Sequence, residues 1–121
     1  MIGRLVGRLA TKGTDHVILD VGGVGYLVHI PLSTFYDLPE AENPASLWIH
    51  THVREDTLAL YGFLTERERS LLVLRYWEDL STEAVARSLA MTEGAVRVAL
   101  LRARRSLAAV LGGGEVSGDA L

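Results

Sequence analysis

Apolar and polar residues alternate along the first half of this chain and recur every three or four positions along the second, the change falling between Leu60 and Ser81. Residues 2–10, 16–21 and 26–30 alternate or run apolar over strand length and are rich in Val, Ile and Leu, which predicts three strands. Lys12-Gly13-Thr14-Asp15 and Gly22-Gly23-Val24-Gly25 separate them. The second break has the glycine content of a phosphate loop. Such a loop leads into a helix, however, and this one leads into Tyr26-Leu27-Val28-His29-Ile30, so a hairpin is expected. Residues 31–39 suit one short helix with Ser33 as N-cap and Pro39 as its stop. A polar linker over 40–45 leads to two further strands, 47–53 and 58–63, around the charged tip Arg54-Glu55-Asp56-Thr57. Three strands, a short helix and two strands is the order of a small five-stranded OB-type barrel.

The join that follows, Leu64-Thr65-Glu66-Arg67-Glu68, contains no proline, glycine run or serine-rich spacer, so the two halves are expected to meet tightly. Thr65 and Glu68 have capping-box spacing, and Leu71, Leu72, Leu74, Arg75 and Trp77 continue one helix that Glu78-Asp79-Leu80 closes. Ser81 or Thr82 then caps a short helix with Val85, Ala86 and Leu89 inward. Ala90-Met91 forms a tight turn, and Thr92-Glu93 caps a long helix running to about Leu111. A short helix, a tight turn and a longer basic helix describe a helix-turn-helix. Val96, Leu100, Ala103, Leu107 and Val110 fall at core spacing on the long helix, leaving Glu93, Arg97, Leu101, Arg104 and Arg105 mainly on its outer side. The expected fold class is α+β: a small five-stranded OB-type barrel over residues 1–63, a helical helix-turn-helix module over 64–111, and a flexible Gly-rich tail over 112–121.

Composition narrows the classes. With 49% hydrophobic and 22% charged residues the 121-residue chain reads as globular, and two minimal modules have thin cores that favour an interface or a homo-oligomer. No apolar run approaches the roughly 18 residues that cross a bilayer, and the first residues lack a secretory h-region, so no membrane partner is expected. The absence of cysteine excludes disulfides, a thiolate nucleophile and Cys-based zinc, and makes a reducing cytoplasm the expected compartment. The formal charge of −3 argues against non-specific coating of nucleic acid, but it is unevenly spread. Up to Phe63 four basic residues face seven acidic ones, whereas between positions 94 and 114 every charged residue is arginine.

Candidate chemistry is sparse. His50 and His52 share a strand face, but a strand pair without further ligands reads as surface or packing, so no metal or other cofactor is expected. No nucleophile, base and orienting group are legible together, which predicts a non-enzymatic protein. Glu55 and Asp56 on a hairpin tip cannot attract a phosphate backbone; they either exclude or orient it, or form a solvated turn. An arginine-bearing helix face is commonly a solvated surface, but after a short helix and a tight turn it can neutralise phosphates or fork onto guanine in the major groove.

Met1-Ile2-Gly3-Arg4-Leu5, Asp20-Val21-Gly22-Gly23-Val24-Gly25-Tyr26, Val28-His29-Ile30-Pro31, Thr34-Phe35-Tyr36, Leu38-Pro39, Val53-Arg54-Glu55-Asp56 and Leu60-Tyr61-Gly62-Phe63 resemble the amino-terminal domain of RuvA, the Holliday-junction-binding subunit of the bacterial branch-migration complex. The resemblance implies an OB domain that assembles around a four-way junction, with Glu55 and Asp56 as an acidic pin at its centre. The helix-hairpin-helix motifs that follow in that family do not appear.

Instead Leu71-Leu72-Val73-Leu74-Arg75-Tyr76-Trp77-Glu78-Asp79-Leu80-Ser81, Ala84-Val85-Ala86, Leu89-Ala90-Met91-Thr92-Glu93-Gly94-Ala95-Val96-Arg97 and Leu101-Arg102-Ala103-Arg104-Arg105-Ser106-Leu107 resemble region four of bacterial sigma factors, particularly the extracytoplasmic-function type. This resemblance implies a recognition helix with Thr92, Glu93, Arg97, Arg102, Arg104 and Arg105 toward DNA, and a surface for RNA polymerase. Ala90 stands where glycine is common in that turn, and Ala99 and Leu101 where polar or basic residues are frequent.

Two specific resemblances meeting within a few residues are those of a chimera. Three functions follow. The chain is a DNA-binding protein for four-way junctions, duplexes or both, nucleoid-associated when bound; or it folds as one body through Leu72, Tyr76 and Trp77 without an evolved DNA target; or it regulates transcription by contacting RNA polymerase.

Overall fold

The computed structural model describes the backbone of residues 1–112 and the side chains of residues 1–103. Five strands, β1 (Arg4–Lys12), β2 (His16–Val21), β3 (Val24–His29), β4 (Pro44–Arg54) and β5 (Thr57–Phe63), close a barrel in the order β1-β2-β3-β5-β4. β1, β2 and β3 form an antiparallel meander, β3 meets β5 in parallel at His29 and Tyr61, β4 and β5 form a hairpin, and β4 closes back onto β1. Closure leaves no open sheet edge. Alternate residues of the strands point inward, so Leu5, Leu9, Val17, Leu19, Val28, Leu47, Ile49 and Leu60 fill the interior. At Gly62 the filling allows no side chain: a Cβ there would lie 2.6 Å from Val28 Cγ1 and 3.1 Å from Leu47 Cδ1.

Several boundaries differ from the sequence expectation. The β2–β3 hairpin turns on Gly22-Gly23 alone, at φ of 61° and 94°. β4 begins at Pro44 rather than 47, because Pro44, Ala45 and Ser46 pair with Arg8, Gly7 and Val6 of β1. The short helix α1 (Leu32–Asp37) is not capped by Ser33: its N-cap is Pro31, which has no capping side chain. The Ser33 hydroxyl is buried and donates instead to Glu68.

In the second half, Thr65 caps α2 (Glu66–Leu72) by accepting the Glu68 N–H at 3.0 Å. Glu68 makes only that half of the capping box, because its carboxylate is engaged by Ser33 and Thr34 of α1. The helix then widens into a π-helical turn, Val73–Trp77, closed by Glu78 N–H to Val73 O at 2.9 Å, where one regular helix was expected. Ser81 caps α3 (Thr82–Leu89), and α4 spans Glu93–Gly112. Gly112, the first residue of the expected tail, is thus helical; residues 113–121 lie outside the described ones. Among the described residues no helix is long and apolar enough to cross a membrane.

A second core, separate from the barrel interior, joins the barrel to the helices. Tyr61 and Phe63 of β5 are buried with Leu71, Leu72, Val85, Ala86, Val96 and Ala103, and Tyr76 and Trp77 pack at its margin. Arg69 adds a polar clasp: its guanidinium lies 5.3 Å from the Trp48 ring and donates to the Gly3 and Ile49 carbonyls.

Candidate nucleic-acid interface

The β4–β5 hairpin ends on the pair Arg54 and Thr57, so Glu55 and Asp56 form a two-residue tip, both exposed. Glu55 sits at φ 53°, a left-handed conformation that costs a non-glycine residue about 1–2 kcal/mol. Strain held in a carboxylate-bearing turn is the kind of feature that clusters at binding sites.

α3 and α4 meet through Ala90, at φ 55° and ψ 47°. The same left-handed backbone explains why this turn suits glycine. Met91 N–H donates to Ala86 O at 2.9 Å, and the Thr92 hydroxyl accepts the Ala95 N–H at 3.0 Å, so Thr92 is committed to capping α4. Glu93 and Arg97 pair at 2.8 Å along one side of the helix. Arg102 points elsewhere: five residues after Arg97 it is turned by about 140°, and it approaches Asp37 of α1 at 3.6 Å. Among the expected contacts whose side chains are described, Arg102 therefore departs from the side that carries Glu93 and Arg97. The side chains of Arg104 and Arg105 lie outside the described residues. Val98 and Leu101 are 58% and 60% exposed on the outer side of α4, an apolar contribution that an arginine count does not reveal.

A third feature lies between the halves and was not legible as a site. The Trp77 ring stands 4.4 Å from His50, 4.8 Å from Tyr61 in an edge-on arrangement, and 6.2 Å from His52. Its π-helical turn and their strands are separated in sequence, and the sequence offers Trp77 as packing between the halves but not as part of a site. His50 Nε2 is buried without a hydrogen-bond partner. Burial, followed by repulsion from His52 and Arg69, holds the His50 pKa below the ordinary histidine value. Burial likewise lowers His29 and raises Tyr61. Asp15 is lowered chiefly by its hydrogen bond to His16, at 2.7 Å. Among the described residues no group of three or more histidine or carboxylate side chains could hold a metal ion.

With this geometry in place, comparison with known proteins is decisive for the barrel: residues 1–62 match the family model described as the RuvA N-terminal domain. The chain belongs to the RuvA N-terminal domain family. The RuvA match stops where the helices start, and residues 63–107 match the model described as Sigma-70, region 4. Relatives named Holliday junction branch migration complex subunit RuvA include that of Syntrophobacter fumaroxidans, 53% identical over 60% of this chain and 37% of its own length. The Pelobacter propionicus protein of the same name is 60% identical over 61% of this chain and 37% of its own length. That of Shewanella denitrificans is 48% identical over 76% of this chain and 43% of its own length. The chain thus spans about two fifths of the RuvA relatives it matches.

Proposed function

We propose that this is a non-enzymatic DNA-binding protein in which the RuvA-type barrel engages a four-way junction and the helix-turn-helix engages duplex. The observation that carries this reading is the exposed Glu55-Asp56 tip at the end of a closed barrel of the RuvA N-terminal family. A carboxylate pair repels phosphates, so its place is at the open centre of a branched substrate, where strands diverge, and not along a duplex backbone. The match of residues 63–107 to sigma region four supports a duplex-facing role for α4, with Arg97, Arg104 and Arg105 as phosphate or base contacts, and supports reading the chain as a fusion.

Gel shifts at several salt concentrations with a four-way junction, a matched duplex and a single strand test this. Junction binding in preference to the other probes is the expected result, and no binding to any probe at low salt rejects the reading. A second reading, one folded body without an evolved DNA target, is favoured by the shared core at Tyr61 and Phe63 and by the Asp37–Arg102 pair. Retention by RNA polymerase without DNA binding would instead favour a transcription regulator. Molar mass in solution tests the homo-oligomer.

A further inference from the structure

One face of the β4–β5 hairpin has a composition that the acidic tip alone does not account for. His50, His52 and Arg54 alternate along β4, and their cross-strand partners on β5 are Tyr61, Ala59 and Thr57. Opposite residues share a face, so these six side chains form one surface outside the barrel. Trp77 closes its inner end and the Glu55 tip its outer end, leaving a cavity of about 370 Å³. Ala59 is the small residue opposite His52, and its methyl group leaves the floor open.

We propose that this cavity holds a single unpaired nucleobase of DNA, stacked against Trp77; the inference rests on the DNA-binding reading above. The walls select that ligand class. Trp77, Tyr61 and His52 line it with mutually tilted aromatic rings, so a planar group can stack on one and meet the others edge-on, and stacking of this kind tolerates any base. His52 and Thr57 carry hydrogen-bonding groups within reach of a base edge. The volume lies within the range of small-ligand sites.

Electrostatics fixes which end of a nucleotide enters. Glu55 and Asp56 keep the phosphates away from the tip, while Arg54 on the rim offers them a positive charge. The neutral base is the part free to approach the aromatic wall. It must be unpaired, because a base within a duplex has both faces covered by its neighbours. Strands diverging at an acidic tip are a source of such bases at the mouth of this cavity. Neither family segment builds the site alone: His52, Arg54, Ala59 and Tyr61 come from residues 1–62, and Trp77 from residues 63–107.

The test uses the full chain carrying Trp48→Phe, which leaves Trp77 as the sole tryptophan. Oligothymidylate, an abasic deoxyribose-phosphate oligomer of equal length and a blunt duplex are titrated while indole fluorescence is followed. The expected result is quenching by oligothymidylate and none by the abasic oligomer. Ala59→Leu, which fills the floor, is expected to weaken oligothymidylate binding about tenfold or more, with circular dichroism reporting that it remains folded. Single-strand binding without quenching, equal quenching by the abasic oligomer, or full affinity in folded Ala59→Leu overturns the pocket. Binding to junction or duplex with no response to oligothymidylate overturns the pocket alone, whereas no binding to any DNA overturns the DNA-binding reading together with it.

Discussion

The Ser33 hydroxyl donates its hydrogen to the carboxylate of Glu68, joining the helix that caps the barrel to the first turn of the helical half. Thr34 donates to the other oxygen of the same carboxylate at 3.3 Å. Both hydroxyls are buried, so Glu68→Ala strands two donors and is expected to lower stability by about 1–3 kcal/mol in urea unfolding. Ser33→Ala with Thr34→Val removes the donors themselves. Added to Glu68→Ala, that pair should recover part of the loss, and strict additivity would mean that the three groups do not act together.

Ala90 occupies a left-handed backbone conformation between α3 and α4. Ala90→Gly removes the Cβ penalty there and is expected to stabilise the protein by about 1 kcal/mol, read as a rise in the thermal midpoint. A lower midpoint would show that the turn is held by its side chain.

Burial keeps His50 and His29 neutral more firmly in the folded protein than in the unfolded chain. The unfolded chain therefore takes up protons near the ordinary value of 6.5 that the folded protein resists. Stability is complete above that pH and declines as pH falls below it toward the depressed folded values. His50→Phe retains an aromatic ring beside Trp77 and should flatten part of this decline when unfolding is compared between pH 7 and pH 5. An unchanged slope assigns the whole effect to other groups.

Asp37 draws Arg102 toward α1. Asp37→Asn frees that guanidinium, and if α4 faces DNA the dependence of duplex affinity on salt should steepen by up to about one unit. Replacing Arg97, Arg104 and Arg105 by alanine should flatten it by up to about three. No change in either variant removes α4 from the DNA interface.

Neutralising the tip as Glu55→Gln with Asp56→Asn should raise duplex affinity and reduce preference for a junction in competition gel shifts. Both side chains are exposed, so stability should hardly change, and a fixed preference would reduce the tip to a turn.

The five strands were legible because one side of each meets the barrel interior, which imposes the two-residue alternation. Pro44-Ala45-Ser46 carries no such signal, since its strand geometry comes from pairing with β1, more than thirty residues earlier. Ser33 and Glu68 have capping chemistry and the sequence pattern expects both at helix starts, but α1 begins at Leu32, ahead of Ser33, and only the approach of α1 to α2 assigns the two to each other. The acidic tip and the arginines of α4 could be named from sequence, whereas the divergence of Arg102 could not, because its partner belongs to the other half. Trp77 fits an apolar stripe; its place over His50 and Tyr61 depends on a π turn that periodicity does not encode.

Phe63 is fully buried, yet its surroundings are supplied largely by residues that follow it. The last strand therefore ends on a residue that cannot be left bare. Trimming the chain after β5 would put this ring and Tyr61 into water, and the trimmed barrel would be driven to aggregate or to recruit another surface. Any segment exchanged into that position, by recombination or by design, must bring its own apolar cover for Phe63.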